Sequence, residues 1–253
     1  MRRIRIEKIV RWTAGAVGVS AAAYGTYVAT AWLRYGHASR PSAEAADPLL
    51  DQFMPRYDIA ERHHIQVAAP ADITFAASRE MDLNQSSIVR TIFRARELVL
   101  GADADAAARP RGIVALTKSI GWGVLAEVPG RELVMGAVTQ PWKANVVFRA
   151  LPPDEFAAFD DPDYVKIVWT LRADPVDATH CVFRTETRAV ATDASARRNF
   201  RRYWSFLSPG IIMIRWMSLG PLKADAERRS SAEPRRSGEA PEGGSLRRLS
   251  VQA

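Results

Sequence analysis

Gly121-Trp122-Gly123-Val124-Leu125-Ala126-Glu127-Val128-Pro129-Gly130-Arg131-Glu132-Leu133-Val134-Met135-Gly136-Ala137-Val138-Thr139 decides how this chain folds. Two apolar runs, Gly123 to Val128 and Glu132 to Thr139, flank Pro129-Gly130-Arg131, a compact turn that predicts an antiparallel hairpin. Strand signals continue on both sides of it. They predict strands over Ile113 to Ser119, Asn145 to Ala150, Tyr164 to Ala173 and His180 to Thr192, with Asp174-Pro175-Val176-Asp177-Ala178 turning between the last two. Connections this short leave no room for crossover helices, so the sheet is expected to be mainly antiparallel.

Upstream, Tyr57 to Val67 alternates loosely and predicts a first strand, ending at Ala68-Ala69-Pro70. Helical spacing follows over Ile73 to Met81 and Ser86 to Leu100, and Ala102 to Pro110 reads as a loop. Downstream, Asp193 or Ser195 can cap one long helix whose apolar face is Phe200, Tyr203, Trp204, Leu207, Ile211, Ile214 and Met217. Pro209 removes a backbone donor, so a kink or break is expected near Ser205 to Pro209.

A strand, two short helices, a run of antiparallel strands and a long C-terminal helix is the order of an α+β helix-grip fold, a curved sheet around a helix. On this order, residues 57–228 resemble the START/SRPBCC superfamily, which includes Bet v 1-like proteins and polyketide cyclases/dehydrases. The resemblance is carried by Gly121 to Glu132, by Thr185-Glu186-Thr187-Arg188, and by Tyr203-Trp204-Ser205-Phe206-Leu207-Ser208-Pro209-Gly210 with Ile214-Arg215, which are similar to segments of uncharacterised bacterial members. It implies a hollow between sheet and helix that takes an apolar ligand, and it leaves the activity open.

Side chains alternating inward would line such a hollow: Leu133, Met135, Phe148, Ile167, Trp169, Leu171 and Phe183 from the strands, and Phe200, Tyr203, Trp204 and Leu207 from the helix. A filled core would use the same residues. Trp122 and Trp142 would close the mouth of a cavity or cap a core. Glu186 and Arg188 share a strand face. If that face is interior they orient the polar end of a ligand; if exterior they are a same-strand ion pair of little energetic weight.

The N-terminal 33 residues carry a separate signal. Trp12 to Leu33 has no charged side chain and follows Arg2, Arg3, Arg5, Lys8 and Arg11. Residues 1–11 thus read as a basic flank and 12–33 as a transmembrane helix, with a cleaved signal peptide or an Ala-rich soluble helix as alternatives. The flanking charge predicts a cytoplasmic N-terminus and a domain outside the cytoplasm, or a secreted domain after cleavage. Ala14, Gly18 and Ala22 would let two such helices pack as a weak homodimer, although an Ala-rich segment yields this spacing by composition alone. Residues 34–56 read as a linker and 229–253 as a disordered tail rich in Ser, Pro, Gly, Glu and Arg.

Several chemistries find no residues to carry them. The single cysteine, Cys181, excludes an intrachain disulfide and cysteine-built zinc sites, and its apolar setting reads as structural. His37, His63, His64 and His180 have no partners at metal-ligand spacing, and Asp160-Asp161-Pro162-Asp163 reads as a solvated loop. No phosphate loop, nucleophile elbow or dinucleotide fingerprint occurs, so no catalytic residue, metal or cofactor is assigned. The net charge of +7 comes without any nucleic-acid-binding motif, which favours anionic lipid head groups over nucleic acid. The reading that follows is a membrane-anchored domain binding a hydrophobic small molecule or lipid. A cyclase-like enzyme using Glu186, Arg188 or Tyr203 and a filled-core interaction domain are the alternatives.

Overall fold

The computed structural model describes residues 2–82 and 110–232. The predicted helix Ser86 to Leu100, the loop up to residue 109 and the tail from residue 233 lie outside them. The elements are α1 (Arg2–Arg34), α2 (Pro48–Phe53), β1 (Ile59–Val67), α3 (Ala71–Glu80), α4 (Ile113–Ser119), β2 (Gly123–Val128), β3 (Glu132–Thr139), β4 (Phe148–Arg149), α5 (Pro153–Ala158), β5 (Val165–Pro175), β6 (Cys181–Ala191) and α6 (Ala194–Ala232).

The sheet is antiparallel in the order β1-β6-β5-β3-β2, with β4 added beside β3. The hairpin β2–β3 forms as its sequence dictates, and Gly130 at its turn has φ of 70°, a left-handed conformation that glycine adopts without a Cβ penalty. Gly121 matters more. Its φ is 102°, and a Cβ built there would stand 2.1 Å from the Phe148 carbonyl oxygen, so only glycine lets the chain enter β2 this close to β4. With the long C-terminal helix packed on the sheet, this α+β topology is consistent with a helix grip.

The pairing register sorts side chains onto two faces. Met135, Trp169, Thr187 and Glu61 form one cross-strand row, and Ala137, Ile167, Ala189 and Ile59 the next; both point toward α6. On that side Phe75, Leu133, Met135, Trp169, Leu171 and Phe183 pack with Leu219, Leu222 and Ala226 of α6. The opposite face is covered too. There Leu50 and Met54 from α2 and its end, together with Phe156 of α5, close over Leu125, Val134, Val138 and Val168.

Four expectations are corrected. Ile113 to Ser119 is helix α4, not a strand, because a run of seven apolar-rich residues fits either period and here only Val114 is buried. Residues 34–56 are not a free linker. Asp47 caps α2 by accepting from the Leu50 N–H at 2.8 Å, Pro48 fits the first helical turn, and Leu50 is fully buried against the sheet. Of the kink or break expected near Ser205 to Pro209, the break does not occur: α6 runs through Pro209 and Pro221 to Ala232, three residues past the expected start of the tail. Its first turn is capped as expected, with Asp193 Oδ1 accepting from the Ala196 N–H at 2.6 Å.

The fourth concerns the N-terminus. Residues 12–33 lie in α1, yet no helix among the described residues is long and apolar enough to cross a membrane. Glycines, threonines and tyrosines dilute the run, and its second half is tied to α6 by polar contacts. The Tyr24 hydroxyl donates to the Phe206 carbonyl at 2.7 Å, Tyr27 and Ser208 hydroxyls meet at 2.9 Å, and Arg201 donates to the Trp32 carbonyl while its guanidinium lies 4.2 Å from the indole centre.

Candidate ligand-binding site

Between the sheet and α6 lies a cavity of about 300 Å³. Ile167, Trp169 and Leu171 of β5 and Phe183 and Ala189 of β6 form its floor. Phe200, Tyr203, Trp204, Ile211 and Ile214 of α6 form its roof, and Met81, Ile113, Leu116, Ile120, Trp122, Pro141 and Phe148 surround the rest. Aromatic rings brace one wall. Trp122 lies 5.2 Å from Phe148 and meets Trp169 edge to face at 6.4 Å, an arrangement that aligns ring edge with ring face. Phe200 stacks on Tyr203 at 6.1 Å on the helix side.

Six of the ten residues singled out from sequence line this cavity: Trp122, Phe148, Trp169, Phe183, Tyr203 and Trp204. Met135 faces the same side of the sheet but is fully buried in the packed core beside it. Trp142 packs against the cluster around Phe200 and is not in the lining, although its neighbour Pro141 is.

Glu186 and Arg188 lie elsewhere: they form the same-strand ion pair of the second reading, but a buried one. They point away from α6, but they are buried under α2 rather than exposed. Arg188 donates from Nε to Glu186 Oε1 at 2.7 Å and from Nη1 to the Met54 carbonyl at 2.8 Å, and it pairs with Asp51. Arg62 reaches the same Glu186 oxygen at 2.8 Å. The face toward α6 instead receives their neighbours, Thr185 and Thr187. A second buried set on the back face joins Arg172 bidentately to Asp174 at 2.9 and 2.7 Å and to the Ala46 carbonyl at 2.9 Å. Beside it, burial and then a hydrogen bond with Asp47 push the Glu132 carboxyl up to about 8.

Sequence reasoning missed Arg215. It lines the cavity from α6, and among the described lining residues it is the one carrying a permanent charge. It stood inside a quoted motif, but a lone Arg on an amphipathic helix gives no signal that separates an inward from a snorkelling side chain. The α4 residues were missed because that segment read as a strand. Ile59 and Trp204 also border a second, more polar cavity of about 520 Å³ beneath α1, so these two side chains stand between that groove and the interior.

Cys181 is buried with its Sγ 3.2 Å from Thr74 Oγ1, and burial raises its thiol above the ordinary range, which suppresses the thiolate. No group of three metal-ligating side chains occurs among the described residues.

No family model and no curated protein matches the chain. Among solved structures, a hypothetical protein from Helicobacter pylori superimposes with a TM-score of 0.37 and 8% identity, over 74% of this chain and 99% of its own. Norcoclaurine synthase from Thalictrum flavum, in complex with dopamine and hydroxybenzaldehyde, gives 0.28 and 10%, over 78% of this chain and 99% of its own. CalU16 from Micromonospora echinospora gives 0.24 and 11%, over 68% and 86%. Likeness at these scores carries no weight for family or function. The helix-grip architecture rests on this chain's own sheet order and C-terminal helix.

Proposed function

We propose that this chain binds a hydrophobic small molecule or lipid in the cavity between the sheet and α6, without transforming it. The observation that carries the reading is the cavity itself, about 300 Å³ lined almost wholly by apolar and aromatic side chains. That volume is at the lower end of ordinary small-molecule sites, where one body of apolar surface replaces water and a few polar groups fix its direction.

The cyclase-like alternative needs an acid or base against the ligand. Glu186 and Arg188, two of its three groups, are on the far side of the sheet, and among the described residues no carboxylate, imidazole or thiol lines the cavity. Tyr203 alone remains of that set. Nothing in the binding proposal depends on a membrane anchor.

Native mass spectrometry of the purified full chain tests this. A dissociable adduct of one small apolar molecule per chain is the expected result. A chain that carries none, and takes up none when offered lipid extract, would favour the filled-core interaction domain.

A further inference from the structure

The cavity has one polar corner. Thr185 and Thr187 face it from β6 and Arg215 from α6; the other hydroxyls of the lining helices, on Thr117 and Ser218, already donate to the Ile113 and Arg215 carbonyls, and the remaining walls are apolar or aromatic. Arg215 donates from Nη1 to Thr185 Oγ1 at 3.1 Å. Among the described residues its guanidinium makes no other hydrogen bond and no ion pair, although a guanidinium carries five N–H donors in a planar fork. The Thr187 hydroxyl, on the same strand face as Thr185, is buried with no hydrogen-bond partner among the described residues. Arg215 is half-buried and Thr187 buried, so their donors are partly withdrawn from water without matching acceptors, and in a ligand site such unmet donors are what a ligand's polar end satisfies.

The neighbouring charges restrict what that end can be. Glu61, on β1 opposite Thr187, attracts Arg215, but it lines the groove beneath α1 and among the described residues makes no ion pair with the guanidinium. His63 pairs in register with Thr185, and burial, then Arg215, then His64 hold it below the usual imidazole range, so it supplies no second cation. Burial also pulls Arg215 down to about 10, which leaves it ionised at neutral pH. One cation without a second favours a single negative charge; a phosphate dianion would bring a charge that nothing here balances. The flat fork matches two oxygens in one plane.

Resting on the binding function proposed above, we infer that the ligand is an amphipathic monocarboxylic acid, its carboxylate on Arg215 with the Thr187 hydroxyl as a second donor. Its apolar body extends toward Trp122 and Trp169.

The test uses the full chain at pH 7.5, with the uncharged dye N-phenyl-1-naphthylamine as reporter and decanoate or decan-1-ol as competitor. Decanoate should displace the dye roughly ten- to a hundredfold more effectively than the alcohol of equal length, the range expected for a charge-assisted hydrogen bond. In Arg215→Met acid affinity should fall until the preference over the alcohol vanishes. Arg215→Lys, which keeps the charge without the fork, should restore part of it and serves as the check should Arg215→Met fold poorly. Equal displacement by acid and alcohol in the parent overturns the carboxylate assignment and leaves the cavity reading standing. Failure of the parent to bind the dye or either competitor overturns both.

Discussion

Trp122, at the entry to β2, meets Trp169, in the middle of β5, edge to face across the wall of the interior cavity, with ring centroids 6.4 Å apart. The contact exists because Gly121 lets the chain pass against the Phe148 carbonyl, which no residue with a Cβ could do without displacing it. A local backbone requirement thereby sets the shape of the site.

Trp169 is nearly buried, yet it borders space rather than neighbours on all sides. Trp169→Ala in a filled core would cost about 3 to 5 kcal/mol; here we expect less than about 3 kcal/mol, together with weakened binding of an apolar dye. Denaturant titration and dye titration of the same variant check the two halves separately.

The back of the sheet should respond in the opposite way. Leu50 is fully buried between α2 and the strands and is separated from the cavity by the sheet. Leu50→Ala is expected to cost about 2 to 5 kcal/mol with dye affinity unchanged, and chains starting at Tyr57 should be less stable than the full chain. A stable chain starting at Tyr57 would contradict the role given to α2.

Arg188 is fully buried and joins Glu186, Asp51 and the Met54 carbonyl. Arg188→Met leaves the buried Glu186 carboxylate with Arg62 alone and unpairs the buried Met54 carbonyl, so a loss of about 1 to 3 kcal/mol is expected, less than for a buried charge left with no partner. Thermal and denaturant midpoints should fall while ligand affinity in the folded protein holds. Loss of affinity without loss of stability would place Arg188 in the site after all.

Glu132 supplies a pH dependence whose sign can be worked out. Its folded pKa, about 8, lies above the ordinary carboxylate value of 4.5, so the folded state holds a proton that the unfolded state has released. Its contribution to stability is therefore present below about pH 4.5 and is lost as pH rises toward 8. Glu132→Gln keeps the neutral shape and should flatten this slope. Melting temperatures between about pH 5 and 8.5, compared for parent and variant, read it directly.

How much of this was legible in the sequence follows from where the signal is local. The turn at Pro129-Gly130-Arg131 and the alternation around it specify β2, β3, β5 and β6 and the antiparallel sheet, and the aromatic residues of the cavity wall follow from that alternation. Glu186 and Arg188 resisted because a strand pattern shows that two residues share a face, not what covers it; here the cover is α2, from a stretch whose Ala, Pro and Asp content resembles a linker. Helix α4 was misread because seven residues are too few to separate a period of 2 from one of 3.6. The uncharged run at 12–33 was overvalued because absence of charge is weaker than presence of apolar bulk, and Tyr24, Tyr27 and Trp32 spend their polar atoms on α6.

Energy transfer from the cavity tryptophans to N-phenyl-1-naphthylamine, titrated against the full-length parent chain, tests the central claim most directly. A ligand cavity walled by Trp122, Trp169 and Trp204 predicts saturable binding of one dye per chain, with tryptophan emission quenched as the dye lights up and a smaller transfer in Trp169→Phe. Dye fluorescence that rises without saturation, or that is unchanged by Trp169→Phe, would contradict a binding site between the sheet and α6.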